Sequence, residues 1–320
     1  MDKLSVIVPV YNGEKTIERC LRSLLAQTVR VQIIVINDGS SDRSKEIVES
    51  LAKEYANIHL YSKTNGGIAD ARNYGVALVD TEYFSFLDAD DEVKPKMAEK
   101  MLAKIEESGS NICFADFNWV YGDSQQKRQH DGGYRDKHEL LAGMFAVLWN
   151  KVYRTAWFKG TGLSFPSGLR YEDASLLYRL VYYMDRVCYV DEVFVDYYQV
   201  DNSITHTFNI HINDMISVFE GIRDFYQDKP GYEAEIEYLF IRFFLGNSYL
   251  RACRIDDRTL RKETLSRGWE TLIRNYPHFK KNKYLQNSGL KNRYFSMLNK
   301  GLYFSNVYLF RLLYKLKVMK

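Results

Sequence analysis

The chain has 320 residues, of which 46% are hydrophobic and 27% are charged, and its formal net charge is +3. This length suits one large domain with appendages or two domains, and the composition excludes fibrous and disordered classes. The four cysteines are scattered and form no CxxC pair, so we expect free thiols in a reducing compartment. No run of about 18 uncharged apolar residues and no secretory leader pattern occur, so we expect a cytoplasmic protein without a membrane span.

The positive charge is concentrated at the end of the chain. Residues 271–320 contain eleven Lys or Arg and no Asp or Glu. Their positive charge exceeds the net charge of the whole chain, so residues 1–270 have a net negative charge. From residue 284 onward, apolar and aromatic residues alternate with these cations. A basic amphipathic helix with aromatics is typical of peripheral membrane contact, here at the inner face of the cell membrane. Packing on the rest of the chain and a homodimer interface are the alternatives, and we expect no nucleic-acid binding because no recognition module is visible.

The first 87 residues alternate between strand and helix patterns. Apolar runs rich in β-branched residues predict strands at 4–10, 31–36, 58–61 and 83–87, and helical spacing predicts helices at 14–27, from 41 or 42 to 54, and from 66 to 78. Such alternation is typical of an α/β fold with a mostly parallel sheet flanked by helices. Neither GxGxxG nor GxxxxGK[ST] is present, so we expect no dinucleotide or P-loop site.

An acidic loop follows the fourth predicted strand. Asp88 and Asp90 are two residues apart, so their side chains project to the same side if the extension continues. Two carboxylates that close repel each other unless a proton or a cation neutralises them, and Mg²⁺ or Mn²⁺ suits an all-oxygen site. The alternative is an acidic turn in which Asp90 or Asp91 caps the next helix.

Four segments in order resemble glycosyltransferase family 2, which has the Rossmann-like GT-A fold and inverts the transferred sugar. They are Val8-Pro9-Val10-Tyr11-Asn12, then Asn37-Asp38-Gly39-Ser40-Ser41-Asp42, then Asn65-Gly66-Gly67 with Ala71-Arg72-Asn73, then Leu87-Asp88-Ala89-Asp90-Asp91. The resemblance implies that Asp38 holds a uracil ring, that Asp88 reaches the ribose or the metal, and that Asp90 binds Mn²⁺ or Mg²⁺ at the diphosphate. It also implies a nucleotide-sugar site that includes Pro9, Tyr11, Glu14, Asn65, Gly67, Arg72 and Ala89. From its residue type alone, Arg72 could pair with the acidic loop or a phosphate, or could be a solvated helical arginine.

Further along, patterns predict a helix at 94–107, a strand at 111–120, a hairpin or loop at 122–133 and a helix at 136–145. A Trp-Asn-Lys segment at 149–151 follows. The family resemblance places such a segment beside the donor, with Lys151 near the phosphates, and core packing is the alternative for Trp149.

A second acidic pair, Glu172-Asp173, opens an apolar helical pattern. The helix dipole favours acids there, so capping alone could explain the pair. Inverting transfer needs a base that deprotonates the acceptor hydroxyl and positive charge that stabilises the leaving diphosphate. The resemblance makes Asp173 the catalytic base, with Glu172 as the second candidate or an acceptor-binding group. A pair of strands is predicted over 187–200, and His206 could be a third metal ligand or simply structural.

We therefore expect a GT-A domain at 1–208, with a nucleotide-binding half at 1–92 and an acceptor-binding half at 93–208, and a helical region at 209–320 with the basic amphipathic tail. The resemblance implies transfer of a hexose (glucose, galactose or an N-acetylated hexosamine) from a UDP-sugar to a hydroxyl of a growing glycan, lipid-linked or protein-linked. The product would be a β linkage in a capsule or another cell-surface polysaccharide. A sugar nucleotidyltransferase is an alternative, but Val10-Tyr11-Asn12-Gly13 lacks its Gly-rich, Arg-containing loop. A non-catalytic partner subunit is the other alternative, and the acidic residues argue against it.

Overall fold

The computed structural model describes residues 2–122, 125–199, 210–286 and 289–316. The chain divides into two compact units. The first contains Met1–Gly168 and Glu172–Asp201, and the second contains Leu169–Tyr171 and Asn202–Lys320. The three residues that immediately precede the acidic pair at 172–173 thus group with the second unit.

The first unit is built from nine strands and seven α-helices in the residues described. The strands are β1 (Leu4–Val10), β2 (Gln32–Asn37), β3 (Ile58–Ser62), β4 (Tyr83–Phe86), β5 (Glu92–Val93), β6 (Ile112–Tyr121), β7 (Gln125–Gln129), β8 (Lys151–Arg154) and β9 (Val187–Gln199). The helices are α1 (Ile17–Leu25), α2 (Ser44–Glu54), α3 (Ile68–Leu78), α4 (Met97–Ser108), α5 (Lys137–Gly143), α6 (Thr155–Gly160) and α7 (Glu172–Leu180), the last followed by a 3₁₀ turn at Val181–Tyr183.

All nine strands form one sheet in the order β3-β2-β1-β4-β8-β6-β9-β5, with β7 pairing beside β6. Strands β1 to β4 are mutually parallel, and β6 and β9 are also parallel. Strand β8 lies antiparallel between β4 and β6 and joins the two parallel parts. The predicted α/β fold is confirmed. The pair of strands predicted over 187–200 is wrong, because a single strand, β9, pairs with β6 from Val187 to Gln199 through two register shifts.

The core lies on both faces of the parallel part of the sheet. All seven residues of β1 are buried, as expected for a central strand with helices on either side. Helix α1 buries Ile17, Cys20, Leu21 and Leu24, whose spacing places them on one face. Helix α3 approaches β1 so closely that a Cβ at Gly75 would lie under 3.0 Å from the Ile7 side chain. This close approach fixes α3 against β1, and with it the polar residues at the start of α3.

Every regular element of the second unit is helical in the residues described. The helices are α8 (Asp214–Tyr226), α9 (Glu233–Arg242), α10 (Ser248–Cys253), α11 (Arg258–Asn275), α12 (Lys283–Gln286), α13 (Leu290–Met297) and α14 (Lys300–Lys315). A π-helical turn, Phe243–Asn247, connects α9 to α10. The core of the second unit is aromatic, with the rings of Phe219, Phe240 and Phe244 in mutual contact. Within the described ranges, no helix combines the length and apolarity needed to cross a bilayer.

Candidate active site

The candidate site starts at the loop after β1, on the carboxyl edge of the sheet, where ligands bind in open α/β folds. Pro9 is buried within β1, whereas Tyr11 is 57% exposed at the edge. Asn12 has a positive φ of 51°, and its side-chain oxygen accepts a hydrogen bond from the Ser41 amide at 2.8 Å. Glu14 is exposed, and its carboxylate accepts a hydrogen bond from the backbone of the same loop after β2. The two loops are therefore tied together, with the Tyr11 ring at their surface.

Asp38, directly after β2, organises the neighbouring loop. Its buried carboxylate accepts hydrogen bonds from the Lys63 ammonium at 2.7 Å and from the amides of Gly66 at 3.0 Å and Gly67 at 2.8 Å. Gly67 has a φ of 86° and starts α3, while Asn65 is exposed. A carboxylate offers about four lone-pair sites, so about one site on Asp38 remains for a further donor such as a base N–H.

Arg72 connects the acidic loop to the second acidic pair. It is 5% exposed, and its guanidinium donates to Asp88 Oδ1 at 2.8 Å and to Glu172 Oε1, a residue 100 positions away, at 2.6 Å. Burial acts to lower the pKa of Arg72, but the carboxylates of Asp88 and Glu172 outweigh it and raise that pKa. The Arg72 guanidinium thus stays charged and binds the carboxylates of Asp88 and Glu172 at the same time.

The acidic loop itself contains more negative charge than Arg72 neutralises. Burial, followed by the charge of Asp88, raises the pKa of Asp90 to about 6. Asp91 is fully buried, and burial and its acidic neighbours raise its pKa as well. Its Oδ1 accepts the Tyr198 amide at 2.9 Å, whereas its Oδ2 has no hydrogen-bond partner within the described residues. Clustered carboxylates with raised pKa values and an orphaned oxygen fit a divalent cation bound by oxygen ligands.

Asp173 lies beside Glu172 in the first turn of α7. Tyr171, just before them, has a φ of 66°, a conformation that non-glycine residues rarely adopt, so the turn that presents the acids is strained. Asp173 is half-buried, and its Oδ1 accepts the Ala174 amide at 2.7 Å. Burial, with a further contribution from the charge of Glu172, raises the pKa of Asp173 to about 7, although Arg72 opposes the shift. A carboxyl group with this pKa is suited to accept a proton near neutral pH.

Comparison with known proteins assigns a family to the part of the chain that contains the acidic loop. Residues 5–162 match the family model for "Glycosyl transferase family 2". This segment of the chain belongs to that family. The resemblance identified from the four sequence segments is therefore confirmed, and the family 2 segment contains the Tyr11 loop, Asp38, Arg72 and the acidic loop.

Individual relatives agree with this assignment. The uncharacterized glycosyltransferase YibD of Escherichia coli K12 is 28% identical over 268 residues, which cover 75% of this chain and 78% of that protein. The minor teichoic acid biosynthesis protein GgaB of Bacillus subtilis 168 is 38% identical over 112 residues, which cover 34% of this chain and 12% of that protein. The crystal structure of Staphylococcus aureus TarS 1–349 in complex with UDP-GlcNAc has a TM-score of 0.71 at 20% identity and covers 98% of this chain and 92% of that one. This last likeness confirms the GT-A type of fold.

Lys151 has an environment different from the one expected for a phosphate ligand. Its side chain is fully buried, and its ammonium donates to Asp131 at 3.0 Å, to Asn150 at 2.7 Å and to the Val147 carbonyl at 2.8 Å. An ammonium has three donors, so these contacts use its hydrogen-bonding capacity. Burial lowers the pKa of Lys151, and the Asp131 carboxylate opposes that shift. In this structure Lys151 therefore supports the interior behind β8, where Trp149 is also buried.

Another group of potential metal ligands lies on β6, β9 and the segment after β7. Ligand atoms of Asp116, His130 and Asp191 lie within 4.8 Å of one another. The Arg128 guanidinium already occupies this cluster, donating to Asp116 at 2.7 Å and also to Asp191. Since the Arg128 guanidinium already neutralises these carboxylates, the acidic loop fits a metal ion better than this cluster does.

Two residues predicted from the sequence remain, Ala89 in the acidic loop and His206. Ala89 is half-buried between Asp88 and Asp90. His206, the third predicted metal ligand, lies outside the described residues. Sequence reasoning treated Asp91 only as a helix cap and did not single out Lys63. The orphaned oxygen of Asp91 could have been suspected from its place beside Asp90, whereas no sequence signal pairs Lys63 with Asp38.

Proposed function

We propose that this chain is an inverting glycosyltransferase that moves a hexose from a UDP-sugar to a hydroxyl of a growing glycan and forms a β linkage. The observation that carries the proposal is the Arg72 bridge. It joins Asp88 of the acidic loop to Glu172, the neighbour of Asp173, so a candidate metal site and a candidate base share one charged network. Donor activation and acceptor deprotonation need such groups side by side.

The donor would lie along the carboxyl edge of the sheet. The exposed Tyr11 ring offers a stacking surface for a base, and Asp38 keeps about one acceptor site for a base N–H. Pro9 and Glu14 would border the base and the ribose. Asn65, Gly67 and Ala89 would line the same edge beside the sugar and the ribose. Asp90 and Asp88 would hold Mn²⁺ or Mg²⁺, which when bound neutralises charge on the diphosphate.

Asp173 would act as the catalytic base. Its carboxylate takes the proton of the acceptor hydroxyl as that oxygen attacks the anomeric carbon, and the bond to the nucleoside diphosphate breaks from the opposite side. Attack opposite the leaving group inverts the configuration, so an α-linked donor gives a β product. Glu172 is the weaker candidate for this role because its Oε1 is held by Arg72 at 2.6 Å. A pKa of about 7 leaves a large fraction of Asp173 ionised at neutral pH.

The comparisons support a choice among donors and acceptors. The TarS structure holds UDP-GlcNAc, which makes an N-acetylated hexosamine the first donor to test, ahead of glucose and galactose. GgaB takes part in minor teichoic acid biosynthesis, which supports a cell-surface polymer as the acceptor class. A lipid-linked or protein-linked glycan presents the same type of hydroxyl.

The test is UDP release from UDP-GlcNAc, UDP-glucose and UDP-galactose, measured with Mn²⁺ and again with EDTA. We expect one donor to turn over, EDTA to abolish the release, and Asp90→Asn to lower it at least about 100-fold because it removes a metal ligand. Asp80→Asn is the matched control, since Asp80 is exposed just after α3 and should leave the rate unchanged. A chain that neither binds nor hydrolyses any of the three donors would contradict the proposal and favour a non-catalytic partner subunit.

A further inference from the structure

Helix α14 has two apolar faces, and only one of them is covered. Its inner face is covered by the rest of the second unit, since Tyr303 and Val307 are buried there. The Tyr303 carbonyl also accepts a hydrogen bond from the Tyr249 hydroxyl at 2.7 Å. Its outer face contains large apolar side chains that nothing in the described part of the chain covers. These are Leu302, Leu309 and Leu312, together with Leu316 directly after the helix, and they are 42% to 62% exposed.

The four leucines lie on one side of the helix, here called the leucine face, with the exposed Ser305 between Leu302 and Leu309. Their separations of seven, three and four residues return to the same side of an α-helix. Helix α13 adds two exposed apolar side chains, Leu290 at 88% and Met297 at 63%. Isolated apolar residues on a surface are ordinary, but an apolar stripe along a helix marks an interaction surface.

Charge near the leucine face favours an anionic partner. Lys315 is exposed next to Leu316 at the end of α14, Arg293 is exposed on α13, and no Asp or Glu occurs anywhere in 271–320. A second copy seated on the same face would bring these cations against their own counterparts, which costs free energy. Anionic lipid headgroups would attract each of them instead, while the acyl region receives the leucines.

The length of α14 sets the geometry of such a contact. Sixteen residues give a helix of about 24 Å, shorter than the hydrocarbon core of about 30 Å. The helix would therefore lie in the plane of the membrane surface. Exposed Tyr308 lies at the border of the leucine face, and tyrosine is enriched at membrane–water boundaries.

We propose that the leucine face of α14 binds the surface of an anionic lipid bilayer. The residues involved are separate from the acidic loop and from Asp173, so the inference goes beyond the proposed function and does not depend on it.

The experiment is flotation of the full chain with two kinds of vesicle, phosphatidylcholine alone and phosphatidylcholine with about 30 mol% phosphatidylglycerol. We expect binding to the anionic vesicles that weakens with salt, and at least about tenfold weaker binding for Leu309→Gln/Leu312→Gln. Gln has nearly the helix propensity of Leu, so the exposed helix should remain folded. Arg258→Gln/Lys262→Gln is the matched control, because it removes two exposed cations from α11 and should leave vesicle binding unchanged.

Size-exclusion chromatography with light scattering on the same variants distinguishes the alternatives. Absence of binding to either vesicle would overturn the proposal, and so would equal binding of the wild type and Leu309→Gln/Leu312→Gln. A wild-type dimer that the leucine substitutions convert to a monomer, without vesicle binding, would show that a second copy covers the leucine face. Circular dichroism of each variant confirms that lost binding does not reflect lost helix.

Discussion

Replacing Arg72 should reveal how strongly the charged network stabilises the first unit of the fold. Arg72→Met keeps the length and apolar stem of the side chain and removes the guanidinium from Asp88 and Glu172. Removing one partner of a buried pair costs about 3–5 kcal/mol, because it leaves an uncompensated buried charge. Glu172 is 8% exposed, but the Asp88 side chain keeps 28% of its surface in solvent, so we expect the low end, about 3 kcal/mol.

The assay is urea unfolding followed by fluorescence or circular dichroism. With a slope of about 2 kcal/mol/M, a loss of about 3 kcal/mol lowers the midpoint by about 1.5 M. The matched control is Arg22→Met, because Arg22 binds Glu18 at 2.7 Å on the exposed surface of α1. Exposed ion pairs contribute little to stability because water and salt screen them, so its midpoint should barely change.

A double variant tests the physical reason. Arg72→Met/Glu172→Gln also removes the more buried of the two unpaired carboxylates, so it should be more stable than Arg72→Met alone. If Arg72→Met and Arg22→Met shift the midpoint equally, or if the double variant is less stable than Arg72→Met, the bridge does not hold the charges as described.

Three further predictions follow from single contacts. Between pH 5 and 8, kcat/KM should rise with an apparent pKa near 7 as Asp173 ionises, and a flat profile would count against this base. Mn²⁺ should raise the melting temperature of the wild type but not of Asp90→Asn, and equal increases would place the metal elsewhere. Gly75→Ala should destabilise the protein by about 1–3 kcal/mol because its Cβ would press on Ile7, whereas Gly221→Ala, in open space on α8, should stabilise it by up to about 1 kcal/mol. Urea midpoints that move in the same direction would contradict the close approach of α3 to β1.

Much of the first half of the fold could be read from the sequence. Strand β1 has the bounds that its apolar run predicts, and α3 ends at the predicted residue, because each has a local sequence signal. The insertion of β8 between β4 and β6 was not predictable in this way. It is four residues long, and it includes a buried lysine whose carboxylate partner, Asp131, lies 20 residues earlier in the chain.

The candidate site shows the same limit. The acidic loop and Glu172-Asp173 were found as short motifs, but nothing local shows that Arg72 joins them across 100 residues. Likewise, Asp38 carries a motif, yet its three donors come from a loop that only the sheet brings close. Candidate residues could be selected from residue type, spacing and the family resemblance, whereas which of their side chains form ion pairs with one another depended on tertiary packing.

The central claim is that Asp173 is the base of an inverting transfer. The most direct measurement compares turnover and UDP affinity for the wild type, Asp173→Asn and Glu172→Gln with the donor that the UDP-release test identifies. We predict that Asp173→Asn lowers kcat at least about 100-fold while its Kd for UDP stays within about threefold of the wild type, since it removes proton acceptance alone. Turnover retained in Asp173→Asn but lost in Glu172→Gln would contradict the assignment and transfer the role of base to Glu172.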